Sequence, residues 1–316
     1  MTQVEPEASV LDVAARAGWL YYVGGMTQDE IATELGVSRQ RVQRLVSRAM
    51  AEGLIHVRLE HKIAACLTAE AALRRAFGLS HVRVAPSLGP GGDTATATAA
   101  AAAQLLETFL SRDAPQVFAF GTGRSLAAMV AELPAQRTEQ HRIVSLIGNI
   151  APDGSATFYD VVQRVADKLH APYYPMPVPL ISETPEERAL FHRLPPVQAV
   201  ARMAQTADVT FVGVGQMDDS APLYKDGFVT REQLTAMQAN GAVGEIVGGV
   251  YDAQGHYIDT PLTGCMGGVR IEAGRSVPVI GVAAGAGKRP AILAALQGRL
   301  INGLVTDEST AAALLT

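Results

Sequence analysis

The chain has 316 residues, of which 48% are hydrophobic and 18% charged, and a formal net charge of −5. That composition suits a soluble protein with a large core and excludes an intrinsically disordered chain. The negative total also excludes a surface coated overall with nucleic acid, so DNA binding would need a local basic face.

The length is about twice that of a typical domain, so two domains are expected. The only cysteines, Cys66 and Cys265, lie far apart with no partners at metal-ligand spacing, which suits a reducing cytoplasm without a disulfide framework. The opening MTQVEPEASV lacks a basic region followed by an apolar run, so no secretory signal is expected. No apolar stretch reaches the roughly 18 to 20 residues that span a bilayer, and a cytoplasmic protein without a membrane partner is expected.

From Val10 to Val57 the pattern is mainly helical. LDVAARAGWLYYV places Leu11, Ala14, Ala15, Leu20 and Val23 at roughly helical spacing. After Gly24-Gly25, Thr27 caps a short helix through Glu34, with Glu30 at the capping-box position. Gly36 breaks the pattern, and Ser38 caps a longer helix to about Glu52, stopped by Gly53. LIHVRL then alternates apolar and polar residues, as a wing or exit strand does. Glu60 to Thr68 reads as a hinge, dividing the chain into 1–60 and 61–316.

Beyond the hinge, VRVA, VFAFG, IVSLIG, VTFVGVG and VPVIGVA alternate with Ala- and Leu-rich segments, the pattern of an α/β domain with a mainly parallel sheet. The run TATATAAAAA from Thr94 leads into QLLETFL and reads as helix. Several strands end in glycine-rich turns, and in open α/β sheets the ligand crevice lies outside the carboxyl ends of the strands.

The segment TQDEIATELGVSRQRVQRLVSRAMAEG has helix-turn-helix logic. Ile31, Leu35, Val37, Val42 and Leu45 form a small core, Ala32 permits close approach and Gly36 the tight turn. Ser38, Arg39, Gln40, Arg41, Gln43 and Arg44 crowd the start of the second helix, where base edges are read; Thr27 and Gln28 open the first, which meets the backbone. Arg suits guanine and Gln adenine. Between Leu35 and Ala51 stand four Arg and no acidic residue, which supplies the local positive face.

In the larger domain, Gly121, Thr122, Gly123, Arg124 and Ser125 follow a strand and open a helix, a setting for an anion or simply a strand-to-helix turn. Leu126 stands where a dinucleotide fingerprint needs Gly, and around GAGK Val282 and Arg289 break a Walker loop, so neither nucleotide motif is met. Asn149, Gln216, Asp218, Glu245, Asp259 and Lys288 sit near strand ends, where carboxylates and amides receive sugar hydroxyls and Lys288 pairs with a phosphate; each is equally at home as a surface turn residue. The seven histidines show no metal-ligand spacing, no nucleophile motif appears, and no cofactor is called for.

Taken together, MTQDEIATELGVSRQRVQRLVSRAMAEGLIHV, ALRRAFGLSHVRVAPS, FGTGRSL, VADKLHAPYYPMPVPL, FVGVGQM, GAVGEIVGGVYDAQGHYID and the closing VIGVAAGAGKRPAILAALQGRLINGLVTDESTAAALL resemble the SorC family of sugar-operon regulators, sometimes grouped with the DeoR regulators. The resemblance implies a small N-terminal, winged helix-turn-helix domain and a Rossmann-like α/β effector domain similar in fold to sugar-phosphate isomerases and deaminases. It implies a tetramer on double-stranded operator DNA, released or rearranged by a sugar, polyol or sugar phosphate. It also implies that the loop Gly121 to Ser125 holds a phosphate with help from Lys288, and that Glu245 meets a sugar hydroxyl. Arg124 departs from the family loop and leaves two readings open, stronger anion binding or a filled pocket that favours an unphosphorylated polyol. The competing reading is an active sugar-phosphate isomerase or deaminase carrying an accessory DNA-binding domain.

Overall fold

The computed structural model describes residues 7–55, 63–89, 91–151, 154 and 161–316. The chain divides into two compact units, Met1–His61 and Lys62–Thr316.

The first unit contains α1 (Glu7–Tyr22), α2 (Gln28–Leu35) and α3 (Arg39–Ala51). Thr27 closes a capping box: its hydroxyl accepts from the Glu30 N–H at 3.3 Å, and the Glu30 carboxylate accepts from the Thr27 N–H at 2.7 Å. Gly36 ends α2 in the left-handed conformation (φ +63°), and the Ser38 hydroxyl accepts from Arg41 N–H at 3.2 Å to start α3. Ile31, Val42, Leu45, Val46 and Ala49 are buried against Ala14 and Ala17 of α1, with Leu35 and Val37 packed at the edge. Of the expected strand LIHVRL, all but Leu54 and Ile55 lies outside the described residues, as do 60–62 of the expected hinge. From Ala64 the chain is already helical, so the second half of that hinge is instead the first turn of a helix.

The second unit runs α4 (Ala64–Phe77), β1 (His81–Ala85), α5 (Thr94–Leu110), β2 (Val117–Phe120), α6 (Arg124–Glu132), β3 (Arg142–Ile150), α7 (Val161–Leu169) and β4 (Tyr173–Pro179). It continues through α8 (Pro185–His192), α9 (Pro195–Gln205), β5 (Val209–Gly213), β6 (Gly215–Gln216), α10 (Pro222–Lys225), α11 (Arg231–Ala239), β7 (Gly244–Ile246) and β8 (Gly249–Tyr251). It ends with β9 (Val279–Val282), α12 (Arg289–Gln297), β10 (Gly303–Asp307) and α13 (Glu308–Leu314). Seven strands form one parallel sheet in the order β1-β10-β9-β5-β2-β3-β4, and β6, β7 and β8 form a small antiparallel sheet.

Strand residues alternate between the two faces. Phe118, Phe120, Val209 and Phe211 are buried with α5, α6 and α7, whereas Ala119, Val144, Val212 and Leu304 are buried with α4, α9, α12 and α13. Coverage of both faces explains the nearly continuous apolar runs of the central strands.

Both edges of the large sheet are blunted. On β1 the outward Val82 carbonyl accepts from Arg74 at 3.3 Å and Arg83 at 3.0 Å, while the Val84 N–H donates to the buried Glu70 carboxylate at 3.1 Å. On β4 Pro175, Pro177 and Pro179 occupy alternate positions. Proline is confined to edge strands because it has no N–H to give to a further neighbour.

Candidate functional site

The chain leaves β2 toward β3 and β4 on one side and leaves β5 toward β9 and β10 on the other, so β2 and β5 flank the topological switch point of the sheet. At such a point adjacent loops diverge and a crevice opens beyond the strand ends. Gly121, which follows β2, and Gly213, which ends β5, both line a cleft of about 990 Å³ counting its open mouth.

The loop Gly121–Ser125 forms one wall. Gly123 caps α6 with φ +116° and ψ 170°, a conformation reserved almost wholly for glycine. It aims the first amides of α6 at the cleft, where the helix dipole favours an anion. Arg124 opens the helix and is exposed. Lys288 also lines the cleft, closing the turn Ala286–Lys288 at the start of α12. Burial holds the Lys288 ammonium below its ordinary range, Arg124 adds to this, and Glu245 opposes it.

Glu245 comes from β7. Its carboxylate accepts from the Gly248 N–H at 3.0 Å; burial pushes its pKa up, while that hydrogen bond and Lys288 pull it down. Between β7 and β8 the tip residues Val247 (φ +55°) and Gly248 (φ +74°) both have left-handed conformations, the geometry of a tight two-residue hairpin. A β-branched residue there is strained by about 1 to 2 kcal/mol. The Val247 side chain wedges against Gly121, with Cγ2 3.4 Å from where a Cβ on that glycine would stand.

Seven of the residues singled out in the sequence line this one cleft: Gly121, Thr122, Gly123, Arg124, Ser125, Glu245 and Lys288. Asn149 lies near the end of β3 and lines an adjoining cavity of about 500 Å³ that shares Gly121, Thr122 and Ile147 with it. Gln216 and Asp218 do not line the cleft. The Gln216 amide donates to Ser220 Oγ at 3.0 Å, and Asp218 accepts from Ser220 N–H and Oγ–H at 2.8 and 2.6 Å, closing a turn beside the Lys288 loop. Asp259 is elsewhere: its carboxylate pairs with Arg270 at 2.7 Å. The sequence offered no motif for the remaining walls, among them Asp226, Phe228, Leu180 and Met266.

In the N-terminal unit, Ser38, Arg39, Gln40, Arg41, Gln43 and Arg44 are all exposed around the first turns of α3, with Thr27 exposed and Gln28 half-exposed at the start of α2. Arg39 reaches Asp29 at 3.5 Å, a solvent-exposed pair worth at most about 1 kcal/mol. Among the described residues no helix is long and apolar enough to cross a membrane.

A helix-turn-helix unit followed by a parallel α/β unit with a cleft at its switch point defines a ligand-responsive transcriptional regulator. Residues 61–316 match the sugar-binding domain family Sugar-bind, and residues 17–61 match the MarR family. The chain belongs to the Sugar-bind family, whose SorC-type members join that domain to a helix-turn-helix. It is 33% identical over 303 residues to the erythritol catabolism regulatory protein EryD of Brucella abortus, covering 96% of each chain. It is 33% identical over 306 residues to the transcriptional regulator LsrR of Escherichia coli K12, covering 95% of this chain and 93% of that one. The structure of the full-length sorbitol operon regulator SorC from Klebsiella pneumoniae superposes with a TM-score of 0.72 at 26% identity, over 98% of this chain and 100% of the other.

Proposed function

We propose that this regulator is a cytoplasmic repressor of a carbohydrate or polyol catabolic operon. Residues 1–60 bind double-stranded operator DNA, residues 61–316 bind the effector and assemble the oligomer, a tetramer, and the effector is a polyol phosphate or sugar phosphate. The observation that carries the effector class is the polarity of the cleft. It gathers the first amides of α6, Arg124 and Lys288, a set suited to a phosphate. Beside Lys288, Glu245 offers an acceptor for hydroxyls, as does Asp226 on the same lining, together with the apolar Ile147, Leu180 and Phe228. Arg124 is thus read as strengthening anion binding.

In the DNA-binding unit, Ser38, Arg39, Gln40, Arg41, Gln43 and Arg44 enter a major groove, the arginines dividing between base edges and phosphates, while Thr27 and Gln28 meet the backbone. Asn149 extends effector contacts through the adjoining cavity. Gln216 and Asp218 support the rim, and Asp259 has no part in effector binding.

A thermal-shift panel of four- to six-carbon polyols and sugars, each with its phosphate, tests the reading. Erythritol and its phosphate come first because EryD is a regulator of erythritol catabolism. The expected hit is a phosphorylated member that also releases operator DNA in a gel shift. Stabilisation by free polyols alone would overturn the phosphate assignment.

The cleft is proposed to bind without turnover. Glu245 beside Lys288 is the one pairing in it suited to proton transfer, so an isomerase assay on the hits, with Glu245→Gln alongside, decides between regulator and enzyme.

A further inference from the structure

Behind the Val247–Gly248 hairpin tip lies a separate cavity of about 610 Å³, with Val247, Gly248 and Met266 as the wall common to it and the effector cleft. Two arginines line it, Arg188 from α8 and Arg270. Arg188 donates through Nε to the Met266 carbonyl, which fixes the plane of its guanidinium. No carboxylate among the described residues pairs with it. Burial, then the like charge of Arg270, holds it below its ordinary range, and the nearby Cys265 thiol, itself pushed up by burial, supplies no negative charge.

The side chains around it do not serve as counter-ions. Glu187, on the same helix, accepts from the Glu183 N–H at 2.7 Å. His192, one turn further on, is held toward its neutral form by burial and by Arg188. Arg270 is also fixed in place. Its guanidinium lies 5.3 Å from the centre of the Tyr257 ring, and the Tyr257 hydroxyl is anchored to the Ile271 carbonyl at 2.9 Å. Its one acidic partner, Asp259, has a side chain that is 79% exposed.

Two positioned guanidinium forks line one cavity, Arg188 half-buried and Arg270 exposed at its mouth beside the solvated Asp259, and they leave a net positive charge there. Such an arrangement favours an anion that bridges the two, and the planar fork matches the oxygens of a phosphate two at a time. We propose that the Arg188–Arg270 cavity is a second anion site, distinct from the effector cleft, that takes a phosphate or phosphate-monoester group.

Asp259 then acts as a built-in competitor, occupying the Arg270 fork when no ligand is bound. Removing its charge should tighten binding, an effect that mere structural damage would not produce.

The test is calorimetric titration of the full chain with inorganic phosphate, supported by circular dichroism and sedimentation on each variant. Wild type should show two phosphate sites. Arg270→Gln and Arg188→Gln should each weaken one of them by roughly tenfold to a hundredfold, the loss of a charged hydrogen-bonding partner. Lys288→Ala should weaken only the other, and Asp259→Asn should tighten the site that Arg270→Gln weakens. If Arg188→Gln fails to fold, Arg270→Gln and Asp259→Asn still decide the matter. A single site that Lys288→Ala alone removes would overturn the proposal. So would an Arg270→Gln variant that binds phosphate normally but changes oligomeric state, which would mean that an acidic group of another copy fills the cavity.

Discussion

Gly215 stands directly opposite Glu245 in the β6–β7 pair, and a Cβ at position 215 would come within 2.5 Å of the Glu245 carboxylate. The missing side chain is the space in which that carboxylate lies, so strand pairing and the chemistry of the cleft are set by one choice of residue. Gly215→Ala should therefore displace Glu245 and weaken the response to effector while leaving the helix-turn-helix intact. Effector titration by thermal shift, with operator binding as the control, checks this. Unchanged effector affinity would mean that Glu245 makes no contact.

Lys288→Ala removes a cation from the lining of the cleft. Effector affinity should fall by roughly tenfold to a hundredfold, the range for losing a charge-assisted contact, with operator affinity in the absence of effector unchanged. Equal loss of both in a gel shift would point to a structural role.

Arg41→Ala and Arg44→Ala separate base reading from phosphate contact. A base-reading arginine should cost about 1 to 3 kcal/mol on the operator and relax its preference at one base pair. A phosphate-binding one should weaken all DNA alike and flatten the logarithmic salt slope by about one. Salt-dependent binding to operator and scrambled DNA tells the two apart, and no change in either would remove α3 from the groove.

Asp307 caps α13 and receives Thr310 N–H at 3.0 Å, Ser309 Oγ–H at 2.8 Å and Ser87 Oγ–H at 2.9 Å. Burial alone would raise its pKa, but these donors outweigh it and hold the carboxyl below its ordinary value. A depressed carboxylate contributes stability that is fully present above its unfolded pKa of about 3.9 and is lost as the pH falls through the lower folded value. Asp307→Asn should cost about 1 to 2 kcal/mol at neutral pH, and its stability should fall less steeply than that of wild type below about pH 4. Parallel denaturant melts at pH 7 and pH 3.5 check both statements.

The helix-turn-helix was legible because its signals are local. Thr27 with Glu30, then Gly36, then Ser38 mark each helix end within four residues of the hydrogen bonds they make. Strands β2, β3, β5 and β9 were legible as apolar runs bounded by glycine, and the glycine turns at the ends of β2 and β5 do meet in one cleft, to which the turn after β9 brings Lys288. Strand β4 carried no such signal, because three prolines in seven residues oppose a strand unless its outer edge is unpaired. The β7–β8 hairpin was hidden for a different reason: its tip is Val-Gly where the turn geometry favours Asn-Gly. Asp259 could not be placed from sequence at all, since its partner Arg270 is brought to it by the loop after β8, not by any spacing rule.

The blunted borders of the large sheet limit how copies of this chain can meet. A flat, unsatisfied strand edge invites the next molecule to add to it, and repeated addition leads to fibrils. Here one margin has its outward groups taken up by Arg74, Arg83 and Glu70, and the other withholds the amide protons that a docking strand would need. Extension of the large sheet is closed off on both sides, which turns any association of copies away from its margins. Contacts between helices and loops, unlike strand pairing, can be remade without tearing a hydrogen-bonded ladder.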